Sequence, residues 1–470
     1  MTKVFFILLG IGIIVFIIFV GLINLMDESP HPQALTLADL PLSYFDADNG
    51  FYTWWGLAEP KSVDLKSEEY TTPFKENFDP TMKSEKFLDK YAGTEYIEES
   101  RKKFAKYENF IDKIKFPKNF PENCFSTMNT KWDKVEEAQQ KCAVLLQRYN
   151  ELLHSPIVRD FIYPCPTSNI PHLRAVIKIA NLYTAICIAR AVQGEWQEAA
   201  AGLISQIACM RRFLPYSRNP ICAMIAKAVI YRSLKGLVSL LNHPQCSKTV
   251  FSAVLADLPP LIYEEYGNRN SFIYQVLETC IALDGFNYFR DKEKPNHPYS
   301  GDFMGKLFMQ KNTTKNYHYE YCSRALKYDR QEPYLWQEDP EIELDTFVKS
   351  KTTGFLWWLK NPVGKTFFIV SASGAIGAHL FKSLRLRVTV DMIRILAELK
   401  LKYIYGKKIE DLLIQLETYK TVDPGSGKHY KWSAEKQILY SIGMDKIDNN
   451  GVEIFGKTTG TDVTMPIKIY

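Results

Sequence analysis

The stretch RAVIKIANLYTAICIARAV, Arg174 to Val192, is almost entirely apolar or small. Apolar residues on all sides of a helix are typical of a helix buried in a protein core. Gly194 follows directly, and glycine commonly ends a helix. The stretch therefore predicts a buried core helix, and around it we predict a mainly α-helical fold.

Apolar residues spaced three and four apart mark further helices on both sides of this stretch. The first set is Val135, Ala138, Cys142, Leu145, Tyr149 and Leu152; the second is Trp196, Ala200, Leu203, Ile207, Met210 and Leu214; the third is Ala226, Ile230, Leu234, Leu237 and Leu241. A fourth helix is predicted over Ser271 to Leu283. The link GEWQEAA, Gly194 to Ala200, resembles the turn of tetratricopeptide-like hairpins, but no second copy recurs at their period. We predict a helical-hairpin bundle or irregular solenoid over residues 49–383.

The N-terminal stretch VFFILLGIGIIVFIIFVGLI, Val4 to Ile23, holds 20 residues without a charge, enough to cross a bilayer. Lys3 precedes it and Asp27 and Glu28 follow, which predicts that the remainder of the chain lies outside the cytoplasm. We predict a signal-anchor at 1–26 that contacts membrane lipid through residues 4–23. The protein would then be a single-pass protein of the bacterial inner membrane with an extracytoplasmic, periplasmic domain. A cleaved signal peptide is the alternative, but the run is longer than usual and no A-x-A site follows.

A linker is predicted at 27–48, where three prolines punctuate a mixed stretch. The next segment, DNGFYTWWGLAEP from Asp48 to Pro60, is densely aromatic. It favours a short helix that places its aromatic side chains in the core and ends before the proline. Contact with a membrane surface or with a flat ligand is the alternative.

Residues 285–345 are polar, aromatic and rich in proline, and they end in the acidic run from Glu338 to Asp345. We predict a long irregular segment, which in a compact domain is often functional or disordered. The apolar stretch from Gly354 to Phe381 that follows predicts a buried helix, with a second membrane segment as the alternative. Within it, NPVGKT at 361–366 lacks the first glycine of a phosphate-binding loop. Over 384–470 we predict a helix, a short strand at Gln437 to Gly443 and a small α+β tail.

The charge and the cysteine pattern limit the partners and metal sites that the chain is expected to have. A net charge of +5 is too small for a nucleic-acid-binding protein, so no nucleic acid is expected. The segment from Val348 to Lys436 carries 16 Lys and Arg against 7 Asp and Glu; it is either a solvated basic face or a surface for anionic lipid or an acidic partner. The nine cysteines include no CxxC pair, which argues against structural zinc.

The sequence shows no established catalytic motif. The eight histidines are scattered, and His318, Glu320 and Cys322 alternate in HYEYC without the PCxxC partner of a zinc deaminase. No GxSxG elbow occurs. No catalytic residue and no organic cofactor is predicted, and a hydrolase site within 285–345 is kept as an alternative.

The last 80 residues contain YIYGKKIEDLLIQL, DPGSGKHYKW and ILYSIGMDKIDNNG in order. This order resembles the soluble region of the major pseudopilins of type II secretion. It also resembles the tail of a class of uncharacterised bacterial membrane-anchored helical proteins. Two earlier stretches of this chain, NGFYTWWGLAEP and NPVGK, resemble segments that precede the tail in those proteins. The N-terminal helix departs from the pseudopilin pattern because it lacks the leader.

Pseudopilins of this kind bind calcium in a C-terminal loop, so the resemblance implies a calcium site. Here Asp445, Asp448, Asn449 and Asn450 offer oxygen ligands at close spacing. The same residue types are required by any tight hairpin turn. We expect a non-catalytic scaffold that binds protein partners at the bacterial envelope; the alternatives are the hydrolase and a calcium-stabilised structural module related to pseudopilins.

Overall fold

A computed structural model describes the chain in segments. They cover residues 27–32, 49–57, 61–67, 94–114, 124–160, 173–284, 309–354, 359–372, 375–404, 421–452 and 462–468, with single residues at 59 and 162 and seven within 11–22. Most of the predicted membrane segment, residues 33–48 of the predicted linker and residues 285–308 of the predicted irregular segment lie outside the described residues.

The described chain is mainly helical, as predicted, with one small antiparallel sheet. The helices are α1 (Phe51–Trp55), α2 (Thr94–Ile111), α3 (Cys124–Asn129), α4 (Trp132–Lys141), α5 (Ala143–His154), α6 (Leu173–Val192), α7 (Trp196–Phe213), α8 (Pro220–Leu241), α9 (Lys248–Asp257), α10 (Tyr263–Tyr266), α11 (Arg269–Asp284), α12 (Lys311–Asp329), α13 (Pro340–Thr352), α14 (Pro362–Ala372) and α15 (Ala375–Ile404). The strands are β1 (Lys431–Ser433), β2 (Ile438–Ser441) and β3 (Val463–Pro466).

Helices α6, α7 and α8 pack against one another and form the centre of the core. The apolar stripes predicted on α7 and α8 lie in this interface, and apart from the half-buried Trp196 their side chains are buried. Gly194 ends α6 with a left-handed φ of 93°, as its position predicted. Gly202 lets α7 approach α6, because a Cβ there would lie 2.7 Å from Sγ of Cys187.

Among the described residues, α6 is the one helix long and apolar enough to cross a membrane. Its most apolar 18-residue window is 67% buried inside the protein. It contacts α3, α4, α7 and α8, which is the environment of a core helix.

The stripe predicted from Val135 to Leu152 runs over two helices instead of one. Helix α4 ends at Lys141 and α5 begins at Ala143, so Cys142 joins them. All six predicted side chains are nonetheless buried. Apolar spacing therefore identified the buried face correctly and missed the break.

The aromatic segment forms α1, and its five side chains are buried as predicted. The Phe51 ring stacks on Phe213 with centroids 5.6 Å apart, and Trp54 lies 4.8 Å from the same ring. Asn49 fixes the start of the helix, because its side-chain amide donates to the Arg159 carbonyl and accepts from the Arg159 amide, both at 2.8 Å.

The prediction of an irregular segment over 285–345 is wrong for its described second half, because α12 occupies 19 of those residues. Its buried face consists of Thr314, His318, Tyr321 and Ala325 with neighbours at the same spacing. These residues recur at three and four positions, but threonine, histidine and tyrosine score poorly as apolar residues. The acidic run begins α13, where Asp339 accepts a hydrogen bond from the Glu341 amide at 2.8 Å as an N-cap.

The apolar stretch from residue 354 to 381 contributes to two helices, α14 and α15. Helix α15 is 30 residues long and packs against α8, α9 and the sheet. It begins before residue 384, where a separate C-terminal domain was predicted to start, so that division stays a prediction.

The three strands are ordered β1-β2-β3 and are antiparallel. The strand predicted near 437–443 is β2. The turn of DPGSGK is held by Asp423, whose carboxylate accepts from the Gly425 amide at 3.0 Å and from the Ser441 hydroxyl at 2.6 Å. Gly425 is required there, because a Cβ would lie 2.4 Å from the Gly443 carbonyl oxygen.

Candidate functional site

Helix α12 is capped by a residue that lies 285 positions earlier in the chain. The carboxylate of Asp27 accepts from the backbone amides of Asn312 at 2.8 Å and Thr313 at 2.9 Å. It also accepts from the Thr313 hydroxyl at 3.0 Å. A carboxylate at this position satisfies amides that have no partner within the helix and complements its dipole. Asp27 therefore ties the start of the predicted linker to the domain.

The residues after Asp27 continue along the side of α12. The His31 amide donates to Oδ1 of Asn316 at 2.8 Å, and Nδ2 of Asn316 donates to the Ser29 carbonyl at 3.0 Å. The His31 ring stacks on Tyr319 with centroids 4.4 Å apart. This segment, residues 27–31, is called the docked segment below; it follows α12 for about two turns.

Seven residues of the predicted membrane segment are described, and all are helical. They are Ile11, Ile14, Val15, Phe16, Ile18, Phe19 and Leu22, with exposures between 44% and 58%. Exposed apolar side chains in this number mark a surface for lipid or for another protein. The remainder of 4–23 lies outside the described residues, so the membrane anchor stays a prediction.

Helix α14 packs beside α12 in the same direction. At the start of α14, Oδ1 of Asn361 accepts from the Gln310 amide at 2.7 Å and Nδ2 donates to Oγ1 of Thr314 at 3.0 Å. At its end, the Tyr321 hydroxyl donates to the Ala372 carbonyl at 2.6 Å. The two helices are therefore parallel, and both begin at the end of the domain where Asp27 binds.

The motif NPVGK has a packing role at this junction. Asn361 is buried with a left-handed φ of 54°, and Pro362 occupies the first position of α14. Gly364 is enclosed, because a Cβ would lie 2.0 Å from Oγ1 of Thr314 and 2.2 Å from Oδ1 of Asn361. The motif therefore allows α14 to approach α12 closely.

The alternating residues of HYEYC do not converge on one point. His318 and Cys322 face inward, and burial lowers the pKa of His318 to about 3, so it is neutral. Nε2 of His318 lies 2.7 Å from the Ser371 hydroxyl. Glu320 instead pairs with Lys351 at 3.0 Å. Across the described part of the chain, no three His, Cys, Asp or Glu side chains are grouped closely enough to hold a metal ion.

A buried polar cluster joins four helices at the centre of the domain. The ammonium group of Lys227 donates to Oδ1 of Asn268 and to Oγ of Ser383, both at 2.7 Å. Nδ2 of Asn268 donates to Oδ1 of Asp329 at 2.6 Å. The Tyr263 hydroxyl donates to the other carboxylate oxygen of Asp329 at 2.7 Å. The cluster thus connects a buried cation to a buried carboxylate.

A lysine beside a serine hydroxyl is the pair that Ser–Lys hydrolases use. The pKa of Lys227 is lowered to about 8, mainly by burial; the charge of Asp329 opposes this shift and that of Lys382 adds to it. Oγ of Ser383 is already engaged, because it accepts from Lys227 and from Asn268 and donates to the His379 carbonyl at 2.9 Å. The pair is almost completely buried. Its geometry is that of a closed structural network.

The four residues predicted to bind calcium lie in the turn after β2, and two of them use their oxygens within it. Oδ1 of Asp445 accepts from the Ile447 amide at 3.1 Å, and Oδ1 of Asp448 accepts from the Asn450 amide at 2.9 Å. Oδ2 of Asp448 pairs with Lys431. Nδ2 of Asn449 donates to the carbonyl of Ile447 at 3.3 Å.

Asp462, which we did not predict, adds a further carboxylate to this turn. It is completely buried, and its Oδ2 accepts from the Gly451 amide at 2.7 Å while Oδ1 has no hydrogen-bond partner. Burial raises its pKa, the backbone amides of Gly451 and Asn449 oppose this shift, and the charges of Asp448 and Asp445 add to it. Asp462 lies just before β3 and 11 residues beyond Gly451, so local spacing could not reveal it.

Four exposed apolar side chains surround the contact between the C-terminal turn and the loop after α12. They are Tyr334, Leu335, Val422 and Ile447, with exposures of 40% to 59%. The Tyr334 amide donates to the Pro424 carbonyl at 3.1 Å, and Lys446 donates to the Tyr334 carbonyl at 3.3 Å. We call these four residues the tail corner. Each of the four lies at, or within two residues of, a residue that makes this contact.

A cleft of about 580 Å³ lies between α5 and the loop after α1. Arg148 reaches it and donates to the Gly56 carbonyl and the Val63 carbonyl, each at 3.1 Å. Lys61, Lys66, Asp64 and Glu151 are among its other lining residues. A lining that mixes both signs of charge indicates no particular class of ligand.

Comparisons with protein-family models, with curated proteins and with solved structures find no match to this chain. The resemblance of the tail to pseudopilins therefore stays a prediction.

Proposed function

We propose that this chain is a single-pass protein of the bacterial inner membrane whose extracytoplasmic helical domain binds protein partners without catalysing a reaction. The observation that carries the proposal is the contact of Asp27 with the first turn of α12. This contact lies directly after the anchor predicted at 1–26 and four residues after its apolar run ends at Ile23. A domain that holds the chain so close to its anchor is presented in a fixed position at the membrane.

The residues that flank the predicted anchor support this orientation. Lys3 lies on one side, and Asp27 and Glu28 lie on the other, as expected when the first residues stay in the cytoplasm. The exposed apolar side chains of residues 11–22 would then contact lipid. Asp27 would therefore have two roles. Its charge favours this orientation of the anchor in the membrane, and its carboxylate caps α12 and holds the docked segment on the domain.

The tail corner is the surface that we assign to a protein partner. Tyrosine is enriched at protein interfaces and among their hot spots, and the exposed aliphatic side chains beside Tyr334 add apolar area that a partner could bury. Leu335 and Ile447 are each more than half exposed, so a partner could bury them. By contrast, the one serine–lysine pair described above is closed to a substrate, which favours binding over catalysis.

The test is an affinity purification in mild detergent through a tag after Tyr470. The wild type is compared with the double variant Leu335→Asp/Ile447→Asp and with Ile262→Asp, a control of similar exposure at another place. We expect components of a secretion or pilus-like machine with the wild type and the control, and at least about tenfold less with the double variant. A solitary wild-type protein, or equal recovery from all three, would refute the proposal.

A calcium-stabilised module is the second candidate, and the unpartnered Oδ1 of Asp462 is the observation that favours it. Calcium would satisfy this oxygen, but Asp445 and Asp448 would have to move toward Asp462, since the three carboxylates are not grouped closely enough in the structure to hold a metal ion. Its binding must compete with Lys431 for Asp448. We expect calcium to raise the melting temperature of the wild type and not that of Asp445→Ala/Asp448→Ala; an equal response in both proteins would exclude this site.

A further inference from the structure

The outer face of α14 carries exposed apolar side chains. Val370 is 73% exposed and Ile369 is 37% exposed, and Thr366 is exposed on the same side. The inner face packs on α12, where the ring centroid of Phe368 lies 5.0 Å from that of His318. Both faces of the helix therefore carry apolar side chains, although only the inner face is buried.

This outer face is held near the predicted membrane anchor. Asp27 binds the first turn of α12, and the chain between Ile23 and Asp27 can span at most about 14 Å. Because α14 runs parallel to α12 from the same end, Val370 lies only about 12 Å along the helix from Pro362. The docked segment also follows the side of α12 instead of leaving the domain.

The sequence around α14 lacks negative charge. From Thr346 to Val390 no Asp or Glu occurs, while seven Lys and Arg residues do. Lys360 is exposed just before the helix begins. Helices that lie in a lipid interface combine an apolar face with flanking basic residues, whose long side chains reach the headgroups.

We propose that the outer face of α14 lies in the headgroup region of an anionic bilayer, with Lys360 beside it. This inference rests on the proposed membrane anchor. The anchor brings the domain to the bilayer, and α14 then fixes which side of the domain faces lipid. The tail corner would stay free for a protein partner.

The experiment uses the full chain in vesicles of phosphatidylethanolamine and phosphatidylglycerol. Val370→Cys and Ile262→Cys are labelled with an environment-sensitive fluorophore, and wild type treated in the same way corrects for native cysteines. Ile262 is a matched control because it is 59% exposed but lies far from Asp27. Its neighbour Tyr263 donates a hydrogen bond to Asp329, the last residue of α12. Ile262 is therefore near the C-terminal end of α12, and Asp27 binds the N-terminal end about 27 Å away.

We expect nitroxide groups on the lipid chains to quench the label at 370 about threefold more than the label at 262. Equal quenching at the two positions would overturn the inference. In vesicles of phosphatidylcholine alone, quenching at 370 should decrease, since anionic lipid attracts the basic residues; no decrease would overturn the anionic preference.

Extraction of the same vesicles with sodium carbonate separates this inference from the proposed anchor. A chain that resists extraction but shows no quenching at 370 retains its anchor and refutes the role of α14. A chain that is extracted has no anchor, and the inference then fails with the proposed function. Thermal melting of both labelled variants confirms that each one is folded.

Discussion

Replacement of Asp27 by alanine should release the docked segment from α12. The carboxylate accepts three hydrogen bonds, at 2.8, 2.9 and 3.0 Å, from the first turn of the helix. Loss of an N-cap typically costs about 0.5–2 kcal/mol. Asp27 is exposed, so we place the effect in the middle of this range, at about 1–1.5 kcal/mol.

This loss of stability should raise the rate of hydrogen exchange at the His31 amide. That amide donates to Asn316 at 2.8 Å and lies four residues from the substitution, so it reports on docking of the segment as a whole. A loss of about 1–1.5 kcal/mol raises its exchange rate about 5- to 12-fold when exchange occurs through local opening.

Two variants act as controls for this prediction. Asp27→Asn keeps an acceptor oxygen but removes the charge, and we expect an intermediate increase, since charge-assisted hydrogen bonds are the stronger ones. Glu28→Ala should have little effect, because the hydrogen bond described for its side chain, from Asn316, is long, at 3.5 Å, and its backbone amide is retained. If Asp27→Ala left exchange at His31 unchanged, the cap would not hold the segment and the argument for a fixed domain would fail.

Three further predictions concern the interior of the domain. Gly364→Ala should lower the free energy of unfolding by about 1–3 kcal/mol, measured by urea denaturation, because its Cβ would lie 2.0 Å from Thr314. His318 has a pKa of about 3 in the folded protein and 6.5 as its ordinary value, so only the unfolded state binds its proton between these values and stability falls as pH falls. Between pH 6.5 and 4.5 the wild type should therefore lose about 2 kcal/mol more than His318→Gln; parallel urea curves for the two proteins would contradict this. Lys227→Met should cost about 3–5 kcal/mol, because it leaves Asp329 as a buried carboxylate, and a smaller loss in Lys227→Met/Asp329→Leu would show that the two charges are coupled.

The pH prediction compares the stability of the wild type with that of His318→Gln because other groups titrate in the same pH range. Burial raises the pKa of Asp160 and of Asp391 to about 6. For a carboxyl group with a raised pKa the folded state binds the proton first, so these two groups favour folding as pH falls. Their effect opposes that of His318, and only the comparison with His318→Gln isolates the histidine.

Most of the helical core could be predicted because its information is local. The stripes on α7 and α8 repeat an apolar residue at helical spacing, and the burial of one face follows directly. The same reasoning failed for α12, whose buried face is built from Thr314, His318 and Tyr321. Such residues are stable in a core only when a partner satisfies their polar atoms, and those partners lie on α14, about 50 residues away in the chain.

The contacts of Asp27 and Asp462 could not be predicted for the same reason, at greater distances. Asp27 is recognisable in the sequence as a charge beside the predicted anchor, but its contact with Asn312 spans 285 residues. Asp462 joins the turn of Asp445 through the pairing of β2 with β3, and no spacing rule indicates that register. In each case the sequence supplies the carboxylate and the tertiary structure supplies the partner.

The contact of Asp27 with α12 would make the domain and the proposed anchor move as one unit. If the linker were free from residue 27, the domain could turn in any direction and no surface would face the membrane consistently. With the docked segment bound, the first turns of α12 and α14 would stay near the proposed anchor, while Asp329 and Tyr263 lie about 27 Å away at the other end of α12. Asp27→Ala should therefore also reduce lipid quenching of a label at Val370, even though the substituted residue does not contact α14 directly. A variant with fast exchange at His31 and undiminished quenching at 370 would show that α14 finds the membrane without the docked segment.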